Sequence, residues 1–302
     1  MKKSLLQIHT AVALWGFTGV LGRAISLSAP ILVWYRMGLT AIILFVIFLL
    51  SKQSYRLERK DIKRVVFVGA SFAVHWVAFY SAIKLANASV ALICLSTSGV
   101  FTAILDPIIN KTKFEWREVL LGCFALVGVY LMVSLPQENM TTNAATQMVN
   151  YELGVALGVL AAVISAVFSI CNKPIAQRYD SKVLVFWEMF VGFTLLTMAA
   201  PFYIHLFPQE ILIPQGWDYL WIIILAYFCT VVAQSLSIKA LRELSPFTVA
   251  FSVNLEPVYG ILLAFLLYKE NQQLGLGFYV GMGLIALSVV LQSYFVMRKS
   301  KV

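Results

Sequence analysis

Residues that could do chemistry stand out because they interrupt apolar sequence. The first such stretch is Ser252-Val253-Asn254-Leu255-Glu256-Pro257, inside the apolar run 246–268. A carboxylate near a bilayer centre costs on the order of 3 kcal/mol on insertion scales. Pro257 removes a backbone donor where the charge sits. Ser252 and Glu256, four apart, share a helix face that Gly260 continues. Asn254 is turned about 200° from Glu256, so the two do not both face one cavity. Glu256 is the better candidate for a cavity, because its charge is the harder of the two to satisfy in helix packing. It could bind a substrate or couple movement to a proton.

Other apolar runs carry polar groups at similar depth. Arg36 lies two turns from one surface and Glu188 two turns from the other. They could snorkel, tie helices together, or form a gate near opposite mouths of a pathway. His75 could relay a proton or donate a hydrogen bond to a neighbouring helix. Trp76 and Tyr80, four apart, share a face, and Trp15 beside Gly16 could form an aromatic wall. Ser96-Thr97-Ser98-Gly99 could line a polar cavity or bond back to its own helix. Ser165, Ser169 and Asn172 form one stripe, and Thr230, Gln234 and Ser237 another. Such stripes face protein or water rather than lipid.

These residues need membrane helices to position them. The chain is 61% hydrophobic and 12% charged, against about 25% charged in a soluble domain. A multispanning, all-α integral membrane protein is expected. The net charge of +9 is carried between apolar runs, so it suits the membrane surface and its lipid rather than nucleic acid. Cys94, Cys123, Cys171 and Cys229 all lie in apolar runs without metal-ligand spacing. There is no G-x-x-x-x-G-K-[ST] motif and no paired nucleophile and base. No ATPase, no enzyme, no metal and no cofactor are expected.

A hydropathy window of about 19 residues gives ten spans: 4–23, 30–50, 64–84, 87–109, 116–135, 151–172, 182–206, 218–240, 246–268 and 273–296. With the N-terminus inside, 19 Lys and Arg fall in inside segments and three (Arg23, Lys84 and Lys269) outside. The positive-inside rule then puts both termini in the cytoplasm of a bacterial inner-membrane protein. That bias favours one orientation, and a monomer or weak dimer is expected.

The chain also repeats. At an offset of 155, Lys84 matches Lys239, Glu115 matches Glu270, Gly122 matches Gly277 and Gly128 matches Gly283. At an offset of 152, Val33-Trp34-Tyr35-Arg36-Met37 meets Val185-Phe186-Trp187-Glu188-Met189. A five-helix repeat at 1–135, a linker at 136–150 and a second repeat at 151–302 are expected. Five is odd, so the ten transmembrane helices form two inverted repeats, an architecture of many secondary transporters.

Leu255-Glu256-Pro257-Val258, then Tyr268-Lys269-Glu270, Gly277 and Gly283, resemble the EamA-type branch of the drug/metabolite transporter superfamily. The first half is similar around Gly99-Val100-Phe101, Glu115, Gly122 and Gly128, and Trp15-Gly16-Phe17 is similar to the family's opening. The resemblance implies a ten-helix bundle around a central cavity, with spans five and ten as scaffold. It implies export of small metabolites such as amino acids, driven by a gradient or by exchange. The first half lacks a proline where the second has Pro257, so the two central helices are expected to bend differently.

The expected function is a secondary, non-ATP exporter of small polar metabolites working by alternating access. Its substrate cavity would be lined by Trp15, His75, Trp76, Tyr80, Ser96, Thr97, Gln234, Ser252, Asn254 and Glu256, with Arg36 and Glu188 gating or ion-pairing. The alternatives are a multidrug exporter of organic cations and a passive facilitator.

Overall fold

The computed structural model describes residues 2–111, 114, 116–134, 144–244, 246–253, 255–272 and 274–299. Every regular element among them is helical. With no water in the hydrocarbon layer, long apolar sequence can satisfy its backbone groups only within a helix or a closed barrel. The first half contains α1 (Lys2–Ala24), α2 (Ala29–Ser51), α3 (Arg59–Leu85), α4 (Ala88–Ser96), α5 (Ser98–Asn110) and α6 (Trp116–Ser134). The second contains α7 (Ala144–Ala176), α8 (Ser181–Leu206), α9 (Asp218–Ala226), a π-helical turn (Tyr227–Val232), α10 (Ala233–Glu243), α11 (Pro246–Val253), α12 (Glu256–Tyr268) and α13 (Leu276–Lys299).

Seven helical runs among the described residues are long and apolar enough to cross a membrane. They cover the expected spans one to four and six to eight. Glu256–Tyr268 and Leu276–Ser288 are shorter apolar helices. The expected linker at 136–150 lies outside the described residues up to Asn143, and from Ala144 onward it already belongs to α7.

Three expected continuous helices are interrupted. Span four breaks at Thr97, between α4 and α5. Span nine divides into α11 and α12, with Glu256 as the first residue of α12. The corresponding central helices of both halves are therefore broken, although only the second carries a proline at its break, Pro257, while Pro107 of the first lies ten residues beyond Thr97. At the break in the first half, Ser96 Oγ donates to Ile93 O and Thr97 Oγ1 to Cys94 O, both at 2.6 Å. Such back-bonding bends helices. Both halves also end this unit alike, with a left-handed lysine at Lys111 (φ 54°) and Lys269 (φ 51°). The third interruption is the π turn between α9 and α10.

Small residues allow close packing around these breaks. At Gly16 of α1, a Cβ would lie 2.6 Å from Tyr259 Cβ on α12. The helices α6 and α13 pack together, with Gly128 facing the Gly281 carbonyl.

Candidate functional site

The site is built on the π turn. A π turn widens the helix by one residue and leaves carbonyls without their ordinary partners. Here Thr230 Oγ1 donates back to Leu225 O at 2.8 Å. The Cys229 carbonyl then accepts from Trp15 Nε1 at 3.0 Å and from Arg36 Nη2 at 3.2 Å. Arg36 Nε donates to Thr230 Oγ1 at 2.9 Å, and Arg36 Nη1 to the Tyr80 hydroxyl at 2.6 Å. The guanidinium lies over the Trp76 ring, 3.7 Å from its centroid. Arg36 is 2% exposed. Three of its five N–H groups are thus engaged, and it has no carboxylate partner among the described ion pairs.

Arg36 and Trp76 form one wall of a cavity that Glu256 also lines. Glu256 is buried at the N-terminus of α12 and accepts from Thr18 Oγ1 at 3.3 Å. A helix N-terminus favours negative charge. Ser98, the first residue of α5, reaches the same cavity. Both broken helices therefore direct a half-helix N-terminus into one space. His75 lines it with Nδ1 held 2.8 Å from Ala161 O. Gln234, Ser237, Ser165 and Ser169 add polar groups, and Phe72, Phe79 and Phe168 add aromatic walls. The cavity offers about 90 Å³ to the centres of water-sized molecules.

Cross-half bonds tie both ends. At one end, buried Glu270 accepts from Arg23, from the backbone N–H groups of Ala88 (3.3 Å) and Ser89 (3.0 Å), and from Ser89 Oγ (2.6 Å). At the other, Asp61 accepts from Arg178 Nη1 at 2.7 Å and from the Tyr179 hydroxyl at 2.8 Å. Partial burial raises the Tyr179 phenol above its ordinary range, so it stays a donor there. Arg242 reaches the carbonyls of Ala176 and Tyr179 beside this latch.

The sequence profile of the EamA-like transporter family matches residues 2–134 and again residues 152–294. The chain belongs to the EamA-like transporter family. A solved crystal structure, described only as that of a protein, has a TM-score of 0.67 to this chain at 17% identity, over 99% of both chains. That likeness shows a shared fold. No curated protein matches.

Of the residues expected in the cavity of this EamA-like protein, Trp15, His75, Trp76, Gln234 and Glu256 line it. Tyr80 does not: it is fully buried behind Arg36 and fixes that side chain from the rear. Ser96, Thr97 and Ser252 are also outside the lining, because their hydroxyls bond back to carbonyls of their own helices. Asn254 lies outside the described residues. Arg36 and Glu188 do not pair. The π turn supplies acceptors to Arg36, while Glu188 accepts from Asn172 Nδ2 at 2.8 Å. Arg36 lines the cavity rather than standing at a mouth. The sequence reading missed Thr18, since a lone threonine beside glycines carries no signal. It also missed the Cys229 carbonyl, because a π turn has no residue signature.

Proposed function

We propose that this EamA-like protein is a secondary transporter that exports small zwitterionic metabolites such as amino acids by alternating access. In this reading it has ten transmembrane helices in two inverted five-helix repeats. It is a non-enzymatic bacterial inner-membrane protein with both termini in the cytoplasm. The observation that carries the reading is a buried cavity with Arg36 on one wall and Glu256 on another, neither ion-paired with the other. A zwitterion satisfies both. Its carboxylate would take the free N–H groups of Arg36 and the half-helix N-terminus at Ser98, and its ammonium would take Glu256.

The polar lining, Gln234, Ser237, His75 and Trp15, would contact the rest of the substrate. A fixed guanidinium in the wall disfavours organic cations as cargo. The latches at Glu270 and Asp61 support alternating access over an open pore, since each joins the two halves at one end.

Counterflow of radiolabelled amino acids into proteoliposomes preloaded with the unlabelled mixture tests the proposal. Saturable exchange that is lost in Arg36→Gln and in Glu256→Gln is the expected result. Organic-cation exchange without amino-acid exchange, or non-saturating flux, overturns it.

A further inference from the structure

Four buried side-chain polar atoms among the described residues lack a hydrogen-bond partner: Asn172 Oδ1, Ser181 Oγ, Glu188 Oε2 and Ser235 Oγ. All four lie toward the same end of the bundle, on α7, α8 and α10. Two of them belong to one bonded pair. Asn172 Nδ2 donates to Glu188 Oε1 at 2.8 Å, while Asn172 Oδ1 and Glu188 Oε2 are both left over. An ionised carboxylate has only acceptors, and an amide oxygen is an acceptor too. The pair therefore holds two buried acceptors and no donor for either.

One hydrogen removes both deficits. A proton on Oε2 turns Glu188 into a donor toward Asn172 Oδ1, and the acid and the amide then close a two-bond ring. We propose that Glu188 and Asn172 form a proton-binding site, occupied in this conformation and separate from the substrate cavity.

The surroundings favour the neutral form. Glu188 is fully buried and Asn172 is 2% exposed. Neither lines the cavity. The backbones of α3 and α8 meet here, with Gly69 so placed that a Cβ would lie 2.7 Å from Glu188 O. Among the described residues, no ion pair involves Glu188. On α2, Arg36 is bound to Tyr80, Thr230 and Cys229 O. On α3, His75 holds Ala161 O, Asp61 holds Arg178, and Lys63 and Arg64 are exposed. On α7, Lys173 is bound to the carbonyls of Leu241 and Leu244, and Cys171 is a half-buried thiol. On α10, Arg242 is held by the carbonyls of Ala176 and Tyr179, and Lys239 is half-buried without an ion pair among the described ones. Lys182 of α8 sits at the helix end.

The site is connected to the cavity by one helix stripe. Ser165 and Ser169 of α7 line the cavity, and Asn172 follows at the next helical step. When the end carrying Asp61 and Arg178 opens, water reaches Oε2. The O–H bond then breaks, the proton passes to water, and the carboxylate is left hydrated. This coupling step rests on the proposed transport function; the proton site itself does not.

Infrared spectroscopy of the full-length protein in liposomes at neutral pH tests the site without any substrate. The difference between wild type and Glu188→Gln is expected to show loss of one protonated-acid C=O band with the carboxylate bands unchanged. Asn172→Leu is expected to shift that band upward in frequency, as its hydrogen bonds are lost. Glu256→Gln is expected to leave it in place. Loss of a carboxylate band in Glu188→Gln overturns the proposal, and so does an unaltered acid band. A Glu188→Gln chain that fails to fold also overturns it, because glutamine copies the shape and donor of the neutral acid.

In proteoliposomes with an imposed pH gradient, labelled amino-acid efflux is expected to lose its pH dependence in Glu188→Gln. Wild-type vesicles that move no amino acid sink the transport reading and leave the infrared result standing.

Discussion

The guanidinium of Arg36 donates to the backbone carbonyl of Cys229 at 3.2 Å. That carbonyl is available because the helix winds through a π turn at Tyr227–Val232. A buried arginine without a carboxylate is costly unless its donors are met. The π turn meets two of them, through Cys229 O and Thr230 Oγ1, and Tyr80 meets a third. The remaining donors are free for the cavity.

Thr230→Val removes the Nε acceptor while keeping volume. A hydrogen bond to a charged group contributes about 1.5–3 kcal/mol. The guanidinium loses its fixed aim, so KM for an exchanged amino acid is expected to rise roughly tenfold or more, with kcat less affected. Tyr80→Phe is expected to act in the same direction. Counterflow kinetics in proteoliposomes measures both, and unchanged KM values in the two variants contradict the role given to the π turn.

The two latches differ in weight. Glu270 is fully buried against Arg23, whereas Arg178 is nearly half exposed opposite Asp61. Removing one partner of a buried pair costs about 3–5 kcal/mol, while exposed pairs contribute about 0–1 kcal/mol. Glu270→Gln is expected to lower the melting temperature of the purified protein more than Asp61→Asn. The Glu270 change also weakens the N-terminus of α4, where Ala88 and Ser89 donate. Equal melting shifts would show that the two latches hold alike.

Removing the charge at Glu256 gives a selectivity test. Glu256→Gln keeps an acceptor for Thr18 Oγ1, so the fold is expected to persist, with a melting temperature at or above wild type, since a buried charge is removed. Amino-acid exchange is expected to fall at least tenfold, while binding of a carboxylate lacking the ammonium, measured by competition, is expected to survive through Arg36. Untouched amino-acid exchange in this variant contradicts the assignment of Glu256.

Much of this was legible in the sequence, for identifiable reasons. Helices follow from apolar length, and the cavity residues Trp15, Arg36, His75, Trp76, Gln234 and Glu256 stand out because polar groups are expensive in an apolar run. Serine and threonine are harder to place. Ser96, Thr97 and Ser252 can satisfy themselves on their own helix and so carry no obligation to face a cavity. Tyr80 shares a helix face with Trp76, yet it stands behind Arg36 rather than in the lining. The pairing of Glu188 with Asn172 was hidden because it joins different helices. Periodicity reports faces, not partners.

Glycines at two contacts and one open face give a graded stability test. At Gly69 an added methyl meets the backbone of Glu188, with O at 2.7 Å and Cα at 3.1 Å. At Gly192 it meets the tip of Met37, which can rotate away, and the Gly69 carbonyl at a looser 3.1 Å. At Gly283 nothing lies within 4 Å. Overpacking against rigid groups costs about 1–3 kcal/mol, while alanine in a helix gains about 0.5–1 kcal/mol over glycine. Gly69→Ala is therefore expected to melt well below wild type, Gly192→Ala slightly below it, and Gly283→Ala at or above it. Gly69→Ala also pushes α3 from α8 beside Glu188, which lets water to Oε2. Its infrared acid band is expected to exchange with deuterium faster than in wild type, whereas that of Gly283→Ala is not. An unchanged exchange rate in a destabilised Gly69→Ala protein would mean that the α3–α8 contact does not seal the Glu188 site.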